Sequence, residues 1–350
     1  MTGNGSAAVL KYCMRGLEAA EKEGENLPEA QSALQYLKGV TKLCNEKEPE
    51  TAARLIEHHD LCLEHVPTTL LKSKEVTLCL IPRLPLDQLL HFLPSFYKHN
   101  VLKPNTATFK AAVERLTSET ALSDTSTNPL QTFLAVRRWQ DATKIVPGKP
   151  KLNTKALDDA LCSLHDASFK NVSSKDKRYL IALDVNKEMN STRCAGCSVM
   201  GPSHVSDIIL MALIKAELSN VTVVVFSETE FVSVDVNDKM TLNDIVEQLN
   251  EVKPGPVQLS APISWALQKK KPFDSFLVFS DALKCSLEDE CAAALKEYKE
   301  TLHLPDTRFI MCSLNDRKSA FPLDKLDMLN IIGFNVNLLK IIQDFTSGVF

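Results

Sequence analysis

Four side chains have the oxygen chemistry and the spacing to hold a metal ion. Asp184 directly follows a run of apolar residues, Asp281 follows another such run and one serine, and Asn186 and Glu188 follow the first aspartate at alternate positions. Carboxylate and amide oxygens are the ligands that hard divalent cations prefer, so the four residues form a candidate Mg²⁺ site. The alternative is structural, with the aspartates capping adjacent loops and helix N-termini.

The apolar runs before these aspartates belong to a regular series of predicted strands and helices. Unalternating apolar strands separated by helices indicate a doubly wound α/β domain with a parallel sheet, which we place at residues 176–350. Ligands of open α/β sheets bind beyond the carboxyl ends of the strands, where both aspartates should lie. The predicted strands are 179–184, 221–227, 276–281 and 308–313, and the helical stretches lie near 203–218, 241–250, 260–270, 287–300 and 336–346.

The first half of the chain has a different pattern. Apolar residues recur at helical spacing, and no strand-like alternation of any length occurs before residue 178. Helices recur about every 20–25 residues, which predicts a HEAT-like helical-repeat array over residues 1–170. An irregular helical bundle is the alternative. A Pro- and Lys-containing stretch at 146–151 and the polar run before residue 179 mark the hinge between the halves.

Candidate nucleic-acid contacts are local, because the chain is not basic overall. Residues 1–178 carry 24 Lys and Arg against 21 Asp and Glu, about +3, and the remainder carries 16 against 23, about −7. An RNA site would therefore be a patch rather than a basic domain. The candidates are Lys72 and Lys74, and Arg137 with Arg138 beside Trp139, whose ring could stack on an unpaired base. The alternative is a solvated basic face with Trp139 in the core.

The ten cysteines predict an intracellular protein rather than a disulfide scaffold. They are scattered, no export signal precedes them, and no stretch is long and apolar enough for a membrane span, so we expect a reducing, cytoplasmic compartment. The one C-x-x-C pair, Cys194 and Cys197, lacks the second pair of a zinc site. No phosphate-binding glycine loop or nucleophile motif is present, so we do not expect an enzyme.

The strand-end residues resemble the metal-ion-dependent adhesion site of von Willebrand factor A domains. That family pattern is Asp-x-Ser-x-Ser, a Thr from a second loop and an Asp from a third. Asp184 and Asp281 match, Asn186 and Glu188 stand in place of the serines, and Val257 stands in place of the Thr. The resemblance therefore implies a degraded site that holds a divalent cation weakly or not at all. A third carboxylate would also repel an acidic partner group.

Motifs in both halves resemble the TROVE-domain Ro/SS-A ribonucleoprotein family. This resemblance implies a non-enzymatic protein that binds small noncoding (Y-type) RNAs on its helical array and the 3′ ends of misfolded RNAs in a ring closed by the A domain. It also implies that the N-terminal part of the helical module is absent, so that a protein partner or second chain would cover the exposed array end. The alternative is a protein-interaction scaffold that uses the A-like domain, with RNA binding lost. The segments that carry the resemblance are 55–65, 71–76, 85–86, 240–242, 265–266, 295–298, 303–305, 326–334 and 342–346.

Overall fold

The N-terminal part of the chain is helical. In a computed structural model, the described residues are 3–24, 30–144, 152–228, 231–281, 288–315 and 326–350, and before residue 179 they contain helices and no strand. This confirms the helical prediction. None of the helices in these ranges is both long and apolar enough to span a bilayer. The helices are α1 (Gly3–Arg15), α2 (Leu17–Gly24), α3 (Gln31–Asn45), α4 (Pro49–His59), α5 (Lys74–Leu80), α6 (Leu86–Lys98), α7 (Ala107–Thr117), α8 (Glu119–Leu122), α9 (Pro129–Ala142) and α10 (Lys155–Ser168).

Local sequence explains where these helices begin and which face they bury. Helix α6 begins after Pro85 and buries Leu86, Leu89, Leu90 and Leu93, which share one side at helical spacing. In α7 the side chain of the residue at the N-cap accepts a backbone hydrogen bond, which satisfies one free donor of the first turn. Most helical stability here comes from burying such apolar faces.

The chain divides into two compact units. The first unit contains residues 1–123 and 138–164, and the second contains residues 124–137 and 165–350. The division passes within α9 and within α10, so each of these helices contributes to both units. The predicted hinge stretch at 146–151 lies outside the described residues.

The second unit contains a six-stranded sheet in the order β3-β2-β1-β4-β5-β6. All neighbouring pairs are parallel except β2 and β3, which are antiparallel. Helices cover the sheet, and the doubly wound fold is confirmed. The strands are β1 (Tyr179–Leu183), β2 (Val221–Val225), β3 (Val232–Val234), β4 (Ser275–Phe279), β5 (Arg308–Ser313) and β6 (Met328–Ile332), and the helices are α11 (Lys187–Ser191), α12 (Pro202–Glu217), α13 (Leu242–Asn250), α14 (Ala261–Gln268), α15 (Glu288–Leu302) and α16 (Leu338–Thr346).

Burial on both sides of the sheet explains the unalternating apolar runs. All five residues of β1 are buried. Tyr179 and Ile181 pack with the core that includes α12 and α16. Leu180 and Ala182 pack with the core that includes α14 and α15. Because a central strand meets a core on either face, both sets of alternating positions must be apolar.

The two edge strands were not predicted from the sequence. β3 has three residues with exposed or half-exposed side chains. β6 has a mixed pattern, with Asn330 in its centre and Ile332 45% exposed. Edge strands have one neighbour rather than two and are partly solvated, so the apolar signal that identified the central strands is absent from them.

Candidate functional site

The two predicted aspartates lie at the same edge of the sheet. Strands β1 and β4 are parallel neighbours, so their carboxyl ends coincide. The backbone N–H of Asp184 donates to the carbonyl of Phe279 at 3.0 Å, and the Ser280 hydroxyl donates to Asp184 Oδ2 at 2.7 Å. Both aspartates are buried, with 5% exposure at Asp184 and 2% at Asp281. The structure therefore brings these two predicted residues to neighbouring strand ends.

Asn186 binds Asp184 through hydrogen bonds. Asp184 Oδ1 accepts from the Asn186 backbone N–H at 2.9 Å and from its Nδ2 at 2.7 Å. The same Nδ2 donates to the carbonyl of Gly255 at 3.2 Å, which ties in the loop that also carries Val257. In this arrangement Asn186 directs its N–H groups, rather than its side-chain oxygen, at Asp184.

Asp281, which follows β4, is hydrogen-bonded to residues at the end of β5 and just after it. Its Oδ1 accepts from the Ser313 hydroxyl at 3.1 Å and from the backbone N–H groups of Leu314 at 2.9 Å and Asn315 at 3.2 Å. Three donors on one carboxylate oxygen fix the loop that follows β5. This is the capping role that the sequence left open as the structural alternative.

The described residues do not fit the predicted Mg²⁺ site. Glu188 is exposed on α11, and no group of three His, Cys, Asp or Glu side chains placed to hold a metal occurs in the described ranges. The three carboxylates are thus not assembled into one ligand set. Val257 packs against the core on the α14 and α15 face and offers no oxygen. Mg²⁺ binding here stays a prediction.

The predicted basic residues of the helical part have different surroundings. Lys72 and Lys74 are exposed, at the end of a short 3₁₀ helix and at the start of α5. The Arg138 guanidinium donates to His91 Nδ1 at 3.2 Å. Arg137 is half-buried and its Nε donates to the carbonyl of Val199 at 3.4 Å. Lys72 and Lys74 can therefore face a ligand more readily than the two arginines, which are both half-buried.

Trp139 is a core residue and not a stacking platform. It is 1% exposed, its Nε1 donates to Asp158 Oδ1 at 2.6 Å, and its ring lies edge-on to Tyr97. The suggestion that its ring stacks on an unpaired base is therefore wrong, and the alternative placing it in the core is right. Periodicity could have shown this, because position 139 falls on the buried face of α9.

A basic stretch around the α6–α7 connection was missed. Between Asp87 and Glu114 the sequence contains no Asp or Glu. The basic residues of this stretch are all exposed. They are His91, Lys98, His99, Lys103 and Lys110. We call this set the α6–α7 basic stretch. The sequence signal for it was the run of 26 residues without Asp or Glu. A charge count over residues 1–178 does not reveal this run, because acids elsewhere in that half offset its lysines.

A half-buried acid in α12 was also missed. Asp207 directly precedes the apolar segment from Ile208 to Ile214, and desolvation raises the pKa of its carboxyl to about 7. A lone acid beside an apolar helical run was the available signal. Perturbed acids of this kind are enriched at functional sites.

The C-x-x-C pair lies in a tight turn. Cys194 and Cys197 face each other across an isolated β-bridge, and both are buried. Burial raises the pKa of the Cys194 thiol to about 12, so the reactive thiolate is disfavoured at neutral pH.

Comparison with known proteins shows which proteins this architecture resembles. The family model described as the Ro60 von Willebrand factor A domain matches residues 178–346. A protein of Deinococcus radiodurans named RNA-binding protein RO60 is 26% identical over 344 residues, covering 97% of this chain. A Caenorhabditis elegans protein of the same name is 25% identical over 347 residues, covering 95%. The chain is therefore similar to Ro proteins over almost its full length.

A solved Ro structure agrees in both halves. The crystal structure of the Deinococcus radiodurans Ro (Rsr) protein superposes with a TM-score of 0.82 at 25% identity, covering 96% of this chain and 68% of that one. The Ro resemblance inferred from sequence motifs is therefore confirmed. The chain spans 62% of the length of the Deinococcus relative and 52% of the length of the Caenorhabditis relative.

Proposed function

We propose that this chain binds RNA without catalysing a reaction, as a ribonucleoprotein component. The observation that carries the proposal is its similarity, over almost its full length, to two relatives that are both named RNA-binding proteins. Small noncoding (Y-type) RNAs and misfolded RNAs are the proposed ligands, and the helical part is the proposed binding region.

The α6–α7 basic stretch supports this proposal physically. Its lysines are exposed, and no acid within the stretch neutralises them. Arg138 extends the positive charge, because its guanidinium contacts His91 of α6. Lysine and arginine side chains bind phosphates and release counterions, which gives affinity with little base specificity. We propose this stretch, with Lys72 and Lys74, as the phosphate-binding surface.

A second candidate function is a protein-interaction scaffold. The segment from residue 179 carries about −7 charge, which opposes phosphate binding there. An open groove of about 520 Å³ lies beside edge strand β3 and α13, and its charged lining residues are Glu228, Asp235, Glu251 and Lys253, three acids against one base. Acidic grooves beside a sheet edge suit a basic protein segment. We therefore keep a protein partner as the alternative.

A gel-shift titration across a salt series separates the two functions. We expect the protein to bind a Y-type RNA and a 3′-tailed single-stranded RNA, with log affinity falling linearly with log salt, by about 0.7–0.9 per phosphate contact. The control is an RNA-free mobility series at each salt concentration. Absence of binding to either RNA at 50 mM salt would refute the RNA proposal and favour the scaffold.

A further inference from the structure

The outer side of β3 is an unpaired edge of the sheet. β3 is the last strand in the sheet order, and β2 lies on its inner side. No strand in the described part of the chain pairs with its outer side. Val232 and Ser233 are exposed, and Val232 retains 40% of its surface. An exposed strand edge can pair with a further strand, and β3 contains neither Pro nor Lys, two residues that protect such edges.

The hydrogen-bond pattern shows which backbone groups of β3 face outward. The backbone N–H of Phe226, directly after β2, donates to the carbonyl of Leu183 in β1 at 3.1 Å. Because consecutive residues of a strand direct their backbone groups to opposite sides, Val223 and Val225 direct theirs to β3. These residues lie opposite the two valines of β3, so Ser233 directs its N–H and C=O outward. Neither group has a partner in the described ranges.

An open groove runs along this edge. Its volume is about 520 Å³, and it lies between β3 and the end of α13 with the loop that follows. Val234 and Val252 line it and pack against the core on the α12 and α16 side. Gln248 of α13 also lines it, and its buried side-chain oxygen has no hydrogen-bond partner among the described residues. The groove therefore offers apolar contact and a free acceptor beside the unpaired edge.

The segment that forms this edge is strongly acidic. Residues 228–253 contain seven Asp and Glu against two Lys, a net charge of about −5. This is most of the net charge of about −7 carried by residues 179–350. In the groove itself the three acids outnumber the one lysine, Lys253. This distribution attracts a cationic partner and repels the phosphates of RNA.

We propose that the outer edge of β3 binds an extended basic segment of a partner protein, which adds a seventh strand to the six-stranded sheet. Ser233 pairs with the backbone of this segment, and Val232 contacts its apolar side chains. Its Lys or Arg side chains face Asp235 and Glu251. The proposal rests on the scaffold function given above as the second candidate. It is independent of RNA binding, because the acidic edge repels phosphates.

The test is fluorescence anisotropy with the full chain and three labelled octapeptides. The probe alternates Lys and Val. One control alternates Lys and Pro, which keeps the charge but cannot pair as a continuous strand, and the other alternates Glu and Val. At low salt we expect the Lys–Val peptide to bind about tenfold more tightly than either control. No anisotropy change with the Lys–Val peptide, or equal binding of any control, would overturn the proposal.

Ser233→Pro tests the strand pairing directly. Proline removes the outward N–H, whereas the pairing with β2 uses the backbone groups of the two valines and should persist. We expect the Lys–Val peptide to bind about tenfold more weakly to this variant. Ser233→Ala keeps the N–H and is the matched control, which should bind as wild type does. Equal affinities of the two folded variants would refute pairing at this edge.

A pair of double variants tests the charge and serves also if Ser233→Pro does not fold. Asp235→Asn with Glu251→Gln removes two acids of the groove. Glu290→Gln with Glu297→Gln removes two exposed acids of α15, which packs on the opposite face of the sheet. The first should weaken peptide binding by about fivefold, and the second should not. Equal losses would refute the groove as the site. Peptide and RNA binding are measured in separate assays, so the failure of one is distinguished from the failure of the other.

Discussion

At the scale of single residues, burial decides the chemistry of the ionisable side chains. His165 is 8% exposed, and its Nδ1 lies 3.0 Å from Thr132 Oγ1. Phe133 and Phe169 pack against its ring. These apolar surroundings lower the pKa of His165 to about 4, because burial disfavours the charged imidazolium. This histidine is therefore neutral in the folded protein near pH 7.

The neutral His165 predicts a loss of stability in mild acid. Below its ordinary pKa of 6.5 the unfolded chain takes up a proton that the folded chain does not, so stability falls as pH decreases from about 6.5 to 4. The slope is at most about 1.4 kcal/mol per pH unit, or roughly 3 kcal/mol in all. Urea unfolding at pH 7, 5 and 4 measures this decrease in the free energy of unfolding.

The comparison for this prediction is between His165→Asn and His99→Asn. Asn at 165 keeps a polar group near Thr132 but does not titrate, so the pH slope should decrease. His99 is exposed, so its variant should keep the wild-type slope. Equal slopes in wild type and His165→Asn would show that other groups cause the acid sensitivity.

At the scale of elements, Gly255 and Gly39 each allow another part of the chain to approach the backbone closely. The neighbour is backbone at Gly255 and a side chain at Gly39. A Cβ at Gly255 would lie 1.9 Å from the carbonyl oxygen of Ser227, which is backbone. A Cβ at Gly39 in α3 would lie 2.5 Å from the ring of His59 in α4, which is a side chain. A side chain can rotate away, whereas the backbone after β2 is fixed by its pairing.

Gly255→Ala should therefore destabilise the protein more than Gly39→Ala. We expect a loss of about 2–3 kcal/mol at Gly255 and about 1 kcal/mol at Gly39, measured by urea unfolding. Val257→Thr is the control for a substitution in the same loop, because threonine has nearly the same shape as valine. A smaller effect at Gly255 than at Gly39 would contradict the rigid-backbone explanation.

The strand-end loops also predict a weak response to Mg²⁺. Asp184 and Asp281 already accept hydrogen bonds from the chain, so an ion must compete with these donors. We expect 10 mM Mg²⁺ to raise Tm by less than about 1 °C at pH 7. Asp281→Asn, which keeps an acceptor oxygen, should abolish any rise. A large rise would contradict the expected weak binding, and a rise that survives this substitution would eliminate the strand-end site.

At the scale of the whole molecule, charge is unevenly distributed along the chain. About +3 in residues 1–178 and about −7 in the remainder favour phosphate binding in the helical part only. RNA affinity should therefore depend on which lysines are removed and not on net charge alone.

Two double variants with the same change in charge test this dependence. Lys98→Gln with Lys103→Gln removes two cations of the α6–α7 basic stretch. Lys239→Gln with Lys269→Gln removes two exposed lysines of the sheet-containing unit. In gel-shift titrations the first variant should bind more weakly, with a salt slope lower by about 1.4–1.8, and the second should resemble wild type. Equal losses in both variants would rule out the proposed surface.

Periodicity and composition by themselves determined most of the architecture, because central strands and amphipathic helices carry strong local patterns. The four central strands and the helices between them were predicted, and so was the meeting of Asp184 and Asp281 at one sheet edge. The motifs also indicated the Ro family. Edge strands β3 and β6 were missed because partial solvation removes the apolar signal.

Only the tertiary structure decided which polar side chains face each other, since such contacts join residues far apart in the chain. It placed Trp139 in the core and kept Glu188 from forming a carboxylate set with the two aspartates. Spacing along a chain restricts which face a residue occupies, but the partner on that face depends on the packing of other elements.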